Sequence, residues 1–366
     1  MNKNIIYILG LGLATSCLPS SKTAETQSEI TRIQPKYVTD SVNYDSDDPA
    51  IWIHPSDPAQ SLILGTDKGD DGQGGVFVFD LQGNEIADRR ISNIDRPNNV
   101  DIAYGFQLDS TQQTDIAVFS ERGKEQIRVF SLPDMNPIDG GGLPVFEDSE
   151  NRLVMGVALY KRADDSIFAI VSRKGENAPT EGYLYQYLLY AENGTVKSQL
   201  VRKFGKFSGG DGEIEAIAVD AEAGYIYYSD ELYGIRKYYA DPNKGNEELA
   251  LFGLENFTED REGISIYPTG EKSGYILISD QQNRRFHVYP REGSSSNPHQ
   301  HNLITVLPMQ VVESDGSEVS PVAFNADFPK GIFVAMSDNR TFEIYDWRDL
   351  EQAIQDSTES QELTQN

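Results

Sequence analysis

Short runs of alternating β-branched and aromatic residues recur along the chain, and each closes on an aromatic. They are Val76-Phe77-Val78-Phe79, Ile127-Arg128-Val129-Phe130, Leu184-Tyr185-Gln186-Tyr187, Ile235-Arg236-Lys237-Tyr238, Phe286-His287-Val288-Tyr289 and Phe342-Glu343-Ile344-Tyr345. Their starts are separated by 51, 57, 51, 51 and 56 residues. Ahead of each lies a second apolar run that ends in Ser or Thr followed by a polar residue, at 62–67, 116–121, 167–173, 225–230, 275–280 and 332–338. The period-2 alternation predicts strands.

A third run precedes each pair and is richer in small residues: Ala50-Ile51-Trp52-Ile53, Val100-Asp101-Ile102-Ala103, Gly156-Val157-Ala158-Leu159, Ala216-Ile217-Ala218-Val219, Gly263-Ile264-Ser265-Ile266 and Val319-Ser320-Pro321-Val322. The interval leaves room for a fourth strand. Four-stranded units repeated at this spacing predict an all-β fold, a six-bladed β-propeller, with the small-residue strand innermost. One helix is expected, near 349–354, followed by a frayed tail over 355–366.

Composition narrows the class. The charge of −27 over 366 residues argues against nucleic acid as a partner, because phosphate backbones need a basic surface. The single cysteine excludes an internal disulfide. The body lacks apolar runs long enough to span a bilayer. The first residues read as an export signal: a short positive start, an apolar stretch over 5–14, then Ala14-Thr15-Ser16-Cys17, which resembles a bacterial lipobox. The expected organisation is a signal peptide over 1–16, lipidated Cys17 with a polar tether over 17–36, a propeller over 37–350 and a polar tail over 351–366. This implies a bacterial cell-envelope location, membrane contact only through the lipid, and a monomer.

Candidate chemistry lies at the starts of the inner strands. Blade one has Asp47 and Asp48, blade two Asp101, blade four Glu213 and Glu215, blade five Asp260 and Glu262, and blade six Asp315 and Glu318. In a propeller these starts converge on one axis. Clustered carboxylates repel unless a cation sits among them, and hard divalent ions take oxygen ligands. The four histidines are scattered and read as surface or packing residues. Basic residues are fewer, and several follow the second strand: Lys68, Arg122 with Lys124, Arg173 with Lys174, and Arg284 with Arg285. Acids with flanking cations suit a metal-assisted reaction on a phosphate ester.

The run Asp47-Asp48-Pro49-Ala50-Ile51-Trp52 resembles the opening motif of the β-propeller phytases, and Asn98-Asn99-Val100-Asp101-Ile102 resembles a second motif of that family. Ordered matches continue to about Trp347. The resemblance implies calcium-dependent hydrolysis of phytate (myo-inositol hexakisphosphate), taken as its calcium complex, by metal-activated water. It implies that Asp47, Asp48, Glu215, Glu231 and Glu262 hold catalytic Ca2+ with Asp260 beside them. The Val100 carbonyl and Asp101 would serve a further ion near the axis. Lys68, Arg122 and Lys174 would bind phosphate and Glu215 would belong to the catalytic set, with Arg173 a further substrate-binding candidate. The chain departs from the family where Gly69 replaces a second lysine and Asp70-Asp71 follow, where Met155 replaces a tyrosine, and where Met309 replaces an acid upstream of Asp315 and Glu318. Two other readings remain open at this point: a calcium-stabilised propeller that binds without catalysis, and a propeller lactonase or esterase.

Overall fold

The computed structural model describes residues 31–365. The segment carrying the export signal and Cys17 lies outside the described residues. Among the described residues twenty-five strands form six antiparallel sheets, the six-bladed β-propeller expected from the repeat. The inner strands, in order, are Ser46–Trp52, Pro97–Gln107, Val154–Lys161, Ile217–Asp220, Arg261–Pro268 and Ser317–Ser320. The sixth starts two residues earlier than the sequence suggested and stops before Pro321, which has no N–H to give to a ladder.

The ring closes through the N-terminal side of the body. Tyr37–Val38 pairs with Thr341–Asp346 and supplies the outermost strand of blade six. The segment 32–36, expected as tether, is instead held against the body. Ile33 bridges Met309, and Arg32 Nη1 donates to the Arg284 carbonyl at 2.9 Å. Met309, which stands where an acid was expected, is fully buried in the core at this seam.

In blades three, four and five the hydroxyl that closes the second strand ties the blade to the next one, while Thr66 Oγ1 bonds within its own blade and Ser120 Oγ has no partner among the described residues. Ser172 donates to the Ile214 carbonyl, Ser229 to that of Arg261 and Ser279 to that of Ser314 at 2.8 Å, while Ser46 donates back to Ser337 at 2.9 Å. The polar residue that follows fixes the loop entering its own blade. Asp67 accepts from the N–H groups of Asn43, Tyr44 and Asp45, Glu121 from Asp95, Asp230 from Ser208 and Asp280 from Thr258. Buried donors without partners are costly, so these carboxylates hold loops that lack a sheet ladder.

The C-terminal helix, α1, spans Trp347–Gln365. It runs well past the predicted 349–354 and replaces the frayed tail. Trp347, Leu350 and Ile354 are buried on one face, and the Trp347 indole stacks on Tyr267 with centroids 3.6 Å apart. That anchor nucleates the helix. Beyond it, glutamine and glutamate have good helix propensity, and Ser357 and Thr358 hydroxyls bond back to the carbonyls four residues earlier. No described helix is long and apolar enough to cross a membrane.

Candidate metal centre and its cationic rim

All six second strands end on the face where the inner strands begin. The residue after the loop anchor therefore reaches the mouth. In five successive blades this residue is Lys68, Arg122, Lys174, Glu231 and Gln281. One sequence register thus supplies three cations, an acid and an amide to one rim. Glu231 was legible only through the family resemblance. Gln281 and its neighbour Gln282 were missed, although the register could have found Gln281.

The upper layer of acids is tightly linked. Carboxylate oxygens of Glu213, Glu215 and Glu231 lie within 4.8 Å of one another. Asn98 Nδ2 donates to Asp47 Oδ2 and to Glu215 Oε1, both at 2.9 Å, which joins blade one to blade four. Gln281 donates to Asp315 Oδ1 at 2.5 Å and Gln282 to Asp260 Oδ2 at 2.7 Å. Glu262 Oε2 is buried and has no hydrogen-bond partner among the described residues.

Electrostatics show strain in this layer. Burial, then the charges of Glu231, Glu215, Asp315 and Asp260, hold the Glu262 carboxyl well above its usual range. Burial and the Asp47 charge do the same to Glu215. Burial, with Glu213 and Asp260, pushes Glu231 up to about 8. Burial pushes Asp315 up to about 6, against the pull of Lys68. An orphaned buried carboxylate oxygen beside convergent acids fits a hard divalent cation, whose charge would reverse these shifts.

A second layer lies deeper on the axis. Asp48, Asp101 and Glu318 line a cavity of about 300 Å³ together with Asn99 and Val100. The Val100 N–H donates to Asp48 at 3.0 Å, and Asp101 accepts from the N–H groups of Ile102 and Leu159, each at 2.6 Å. Burial raises Asp101 to about 6 and, with the Asp101 charge, Glu318 to about 8. Asn99 Oδ1 is buried without a partner, a further oxygen facing no donor among the described residues.

Of the expected phosphate-binding cations, three reach the rim. Lys68 Nζ lies 3.1 Å from Asp47 Oδ1 and from Asp315 Oδ2. Burial alone would lower its ammonium, but Asp47, Asp315, Glu215 and Asp45 together hold it above its ordinary value. Lys174 Nζ pairs with Glu213 at 2.9 Å. Arg122 is buried, its charge acts on Glu215, and its Nε has no partner among the described residues. Arg173 does not reach the rim. It occupies the loop-anchor position of blade three, 1% exposed, stacked on Phe146 and Tyr185 and donating to Tyr183 and Asn151 carbonyls. A fully engaged guanidinium of this kind binds no substrate, so Arg173 is a packing residue.

The histidines follow the packing expectation. His287 is buried and stacks on Phe257 at 3.9 Å, and His301 is buried between Lys237 and the Pro290 carbonyl. None touches the acidic layers.

The chain is 28% identical over 331 residues to the 3-phytase of Bacillus subtilis (strain 168), covering 84% of this chain and 81% of that one. Solved structures of similar shape include the β-propeller domain of Myceliophteria thermophila Cps50 (Swd1), with TM-score 0.46, 13% identity and coverage of 82% and 83%. A chain of a mitotic checkpoint complex has TM-score 0.48 and 10% identity, with coverage of 92% and 100%. The family model described as Phytase matches residues 4–363, and the chain belongs to the phytase family.

Proposed function

We propose that the chain hydrolyses phosphate monoesters of myo-inositol hexakisphosphate and that it does so with calcium. The observation carrying this reading is the single rim on which Glu213, Glu215, Glu231 and Glu262 meet Lys68, Arg122 and Lys174. Carboxylates with no nitrogen or sulfur donor favour a hard ion over zinc or copper.

Calcium held by Asp47, Glu215, Glu231 and Glu262 would neutralise phosphate oxygens and lower the pKa of an attacking water. The protein's own groups do the rest. Lys68 and Arg122 face the phosphate being cleaved and stabilise its growing charge, and Lys174 holds the far side. Asn98 fixes Glu215 against Asp47, so the donor set is oriented before substrate arrives. Asp48, Asp101 and Glu318 form a second, axial oxygen site that stiffens the ring. No serine, cysteine or histidine nucleophile is required.

The test is phosphate release from calcium phytate between pH 5 and 8, with and without a chelator, beside calcium binding by calorimetry. Release that disappears on chelation supports the reading. Calcium binding without release would make the chain a binding propeller, and release that ignores chelation would remove calcium from the mechanism. Envelope anchoring through Cys17 belongs to the same proposal, and Cys17→Ser should move the protein from the membrane fraction to the soluble one.

A further inference from the structure

Asp260 and Glu262 are separated by Arg261, a residue to which the mechanism gives no part. Arg261 opens the inner strand of blade five. Successive side chains of a strand leave on opposite sides, so Arg261 does not follow its two neighbours. It reaches across to blade four. Its Nε donates to the Gly253 carbonyl at 2.7 Å and its Nη2 to the Leu254 carbonyl at 3.2 Å. Its Nη1 donates to the Glu231 carbonyl at 3.0 Å and to the Glu259 carbonyl at 3.3 Å. The backbone N–H of Arg261 donates to the same Glu231 carbonyl, at 3.2 Å.

This guanidinium is 6% exposed, and its four side-chain bonds all go to backbone carbonyls. The buried arginines Arg128, Arg236 and Arg291 each pair with a carboxylate instead. Burial pulls the Arg261 guanidinium below its ordinary value. A buried charge without a carboxylate partner is costly, and here only the bonds it makes offset that cost. The Phe257 ring lies 4.7 Å from the guanidinium carbon and keeps the fork in place. Reaching several separate peptide groups at once needs the planar set of five N–H donors that arginine alone carries. The consequence falls on Glu231. Its Oε2 accepts from the Glu213 N–H at 3.1 Å, while its carbonyl is held twice by Arg261. Glu231 is therefore fixed at both ends, its carboxylate within blade four and its peptide group by blade five.

We propose that Arg261 is a positioning residue that sets the separation of Glu231, in blade four, from Asp260 and Glu262, in blade five, and so fixes the spacing of a cation site that spans the two blades. It touches neither the ion nor the substrate and acts through the Glu231 peptide group. This rests on the calcium-dependent reading of the mouth.

The experiment titrates calcium alone into the full chain by calorimetry, for wild type, Arg261→Met, Arg261→Lys and a matched control, Arg202→Met. Arg202 is also 6% exposed, donates to the Tyr239 and Gly245 carbonyls and stacks on Phe204 at 4.0 Å, but it belongs to the outermost strand of blade three. Arg261→Met and Arg202→Met should both lower the melting temperature in chelator. Losing a group that orients metal ligands weakens binding about 10–100-fold. Arg261→Met should therefore weaken calcium binding at least about tenfold and raise by the same factor the calcium needed for half-maximal phosphate release. Arg261→Lys keeps the charge and should recover part of the affinity. Arg202→Met should leave both quantities within about twofold, since it orients no ligand. Unchanged calcium affinity in Arg261→Met overturns the proposal, because Arg261 then only staples two blades. An equal loss in Arg202→Met overturns it as well, because the loss then reports stability alone. Should Arg261→Met not fold, Arg261→Lys carries the same comparison: weaker calcium binding than in Arg202→Met supports the proposal, and equal binding overturns it. A wild-type chain that binds calcium but releases no phosphate overturns the phosphatase reading and leaves the role of Arg261 standing on the binding data. One that binds no calcium overturns both.

Discussion

Lys68 Nζ stands 3.1 Å from Asp47 Oδ1, so an internal cation already occupies part of the space that a divalent ion would claim. The two compete for one carboxylate. Lys68→Met should therefore leave calcium affinity unchanged or tighter, measured by calorimetry, while phosphate release falls on the order of 100-fold because a phosphate contact is lost. Weaker calcium binding in this variant would show that Lys68 supports the ion site rather than shares it.

Gly156 sets the position of Glu215 from the neighbouring blade. A Cβ on Gly156 would stand 1.9 Å from the Glu215 carbonyl oxygen and 2.9 Å from Ser172 Oγ, closer than atoms pack. Inner strands of adjacent blades approach this closely only where one lacks a side chain. Gly156→Ala should cost about 2 kcal/mol through overpacking. It should lower phytate hydrolysis more than its loss of melting temperature accounts for, because the displaced backbone belongs to a proposed metal ligand. Retained activity with a lowered Tm would separate Gly156 from the site.

The serine latches predict a purely structural effect. Ser279 Oγ is buried and donates to the Ser314 carbonyl across the boundary of blades five and six. Ser279→Ala leaves that carbonyl without the latch, at a cost of about 1–2 kcal/mol. Thermal unfolding should shift by a few degrees, with calcium affinity unchanged.

These cases show which features the sequence could carry. The blades were legible because the second and third strands of each are buried over most of their length and recur at a fixed spacing. The converging acids were legible because inner-strand starts share one register. Arg173 was misread because it lies one residue before Lys174, and one register step separates a loop anchor from a rim position. The long helix was missed because its second half, from Gln355 to Gln365, has no apolar period, and its start is fixed by Trp347 stacking on Tyr267, which is 80 residues away in the chain.

Removal of metal should make stability depend on pH in a particular direction. Burial raises Glu231 and Glu318 to about 8, and holds Glu215 and Glu262 well above the usual range. A carboxyl with a raised folded-state pKa keeps its proton in the folded chain and loses it in the unfolded chain. The folded state then binds more protons, so stability falls as pH rises towards the folded pKa. His301 works the opposite way, since burial lowers it to about 4, but that contribution is complete by about pH 6.5, the ordinary value of histidine. Lys237, lowered by burial to about 8, acts mainly above that pH. The window from about pH 6.5 to 8 therefore belongs to the acidic layers. In chelator, the melting temperature should drop across this window. With calcium it should stay level or rise, because the deprotonated carboxylates are then the ligands. Differential scanning calorimetry at pH 6.5 and 8, with each additive, reads both slopes. A chelated protein that becomes more stable between these values would show that the acids of the mouth are ionised without any metal.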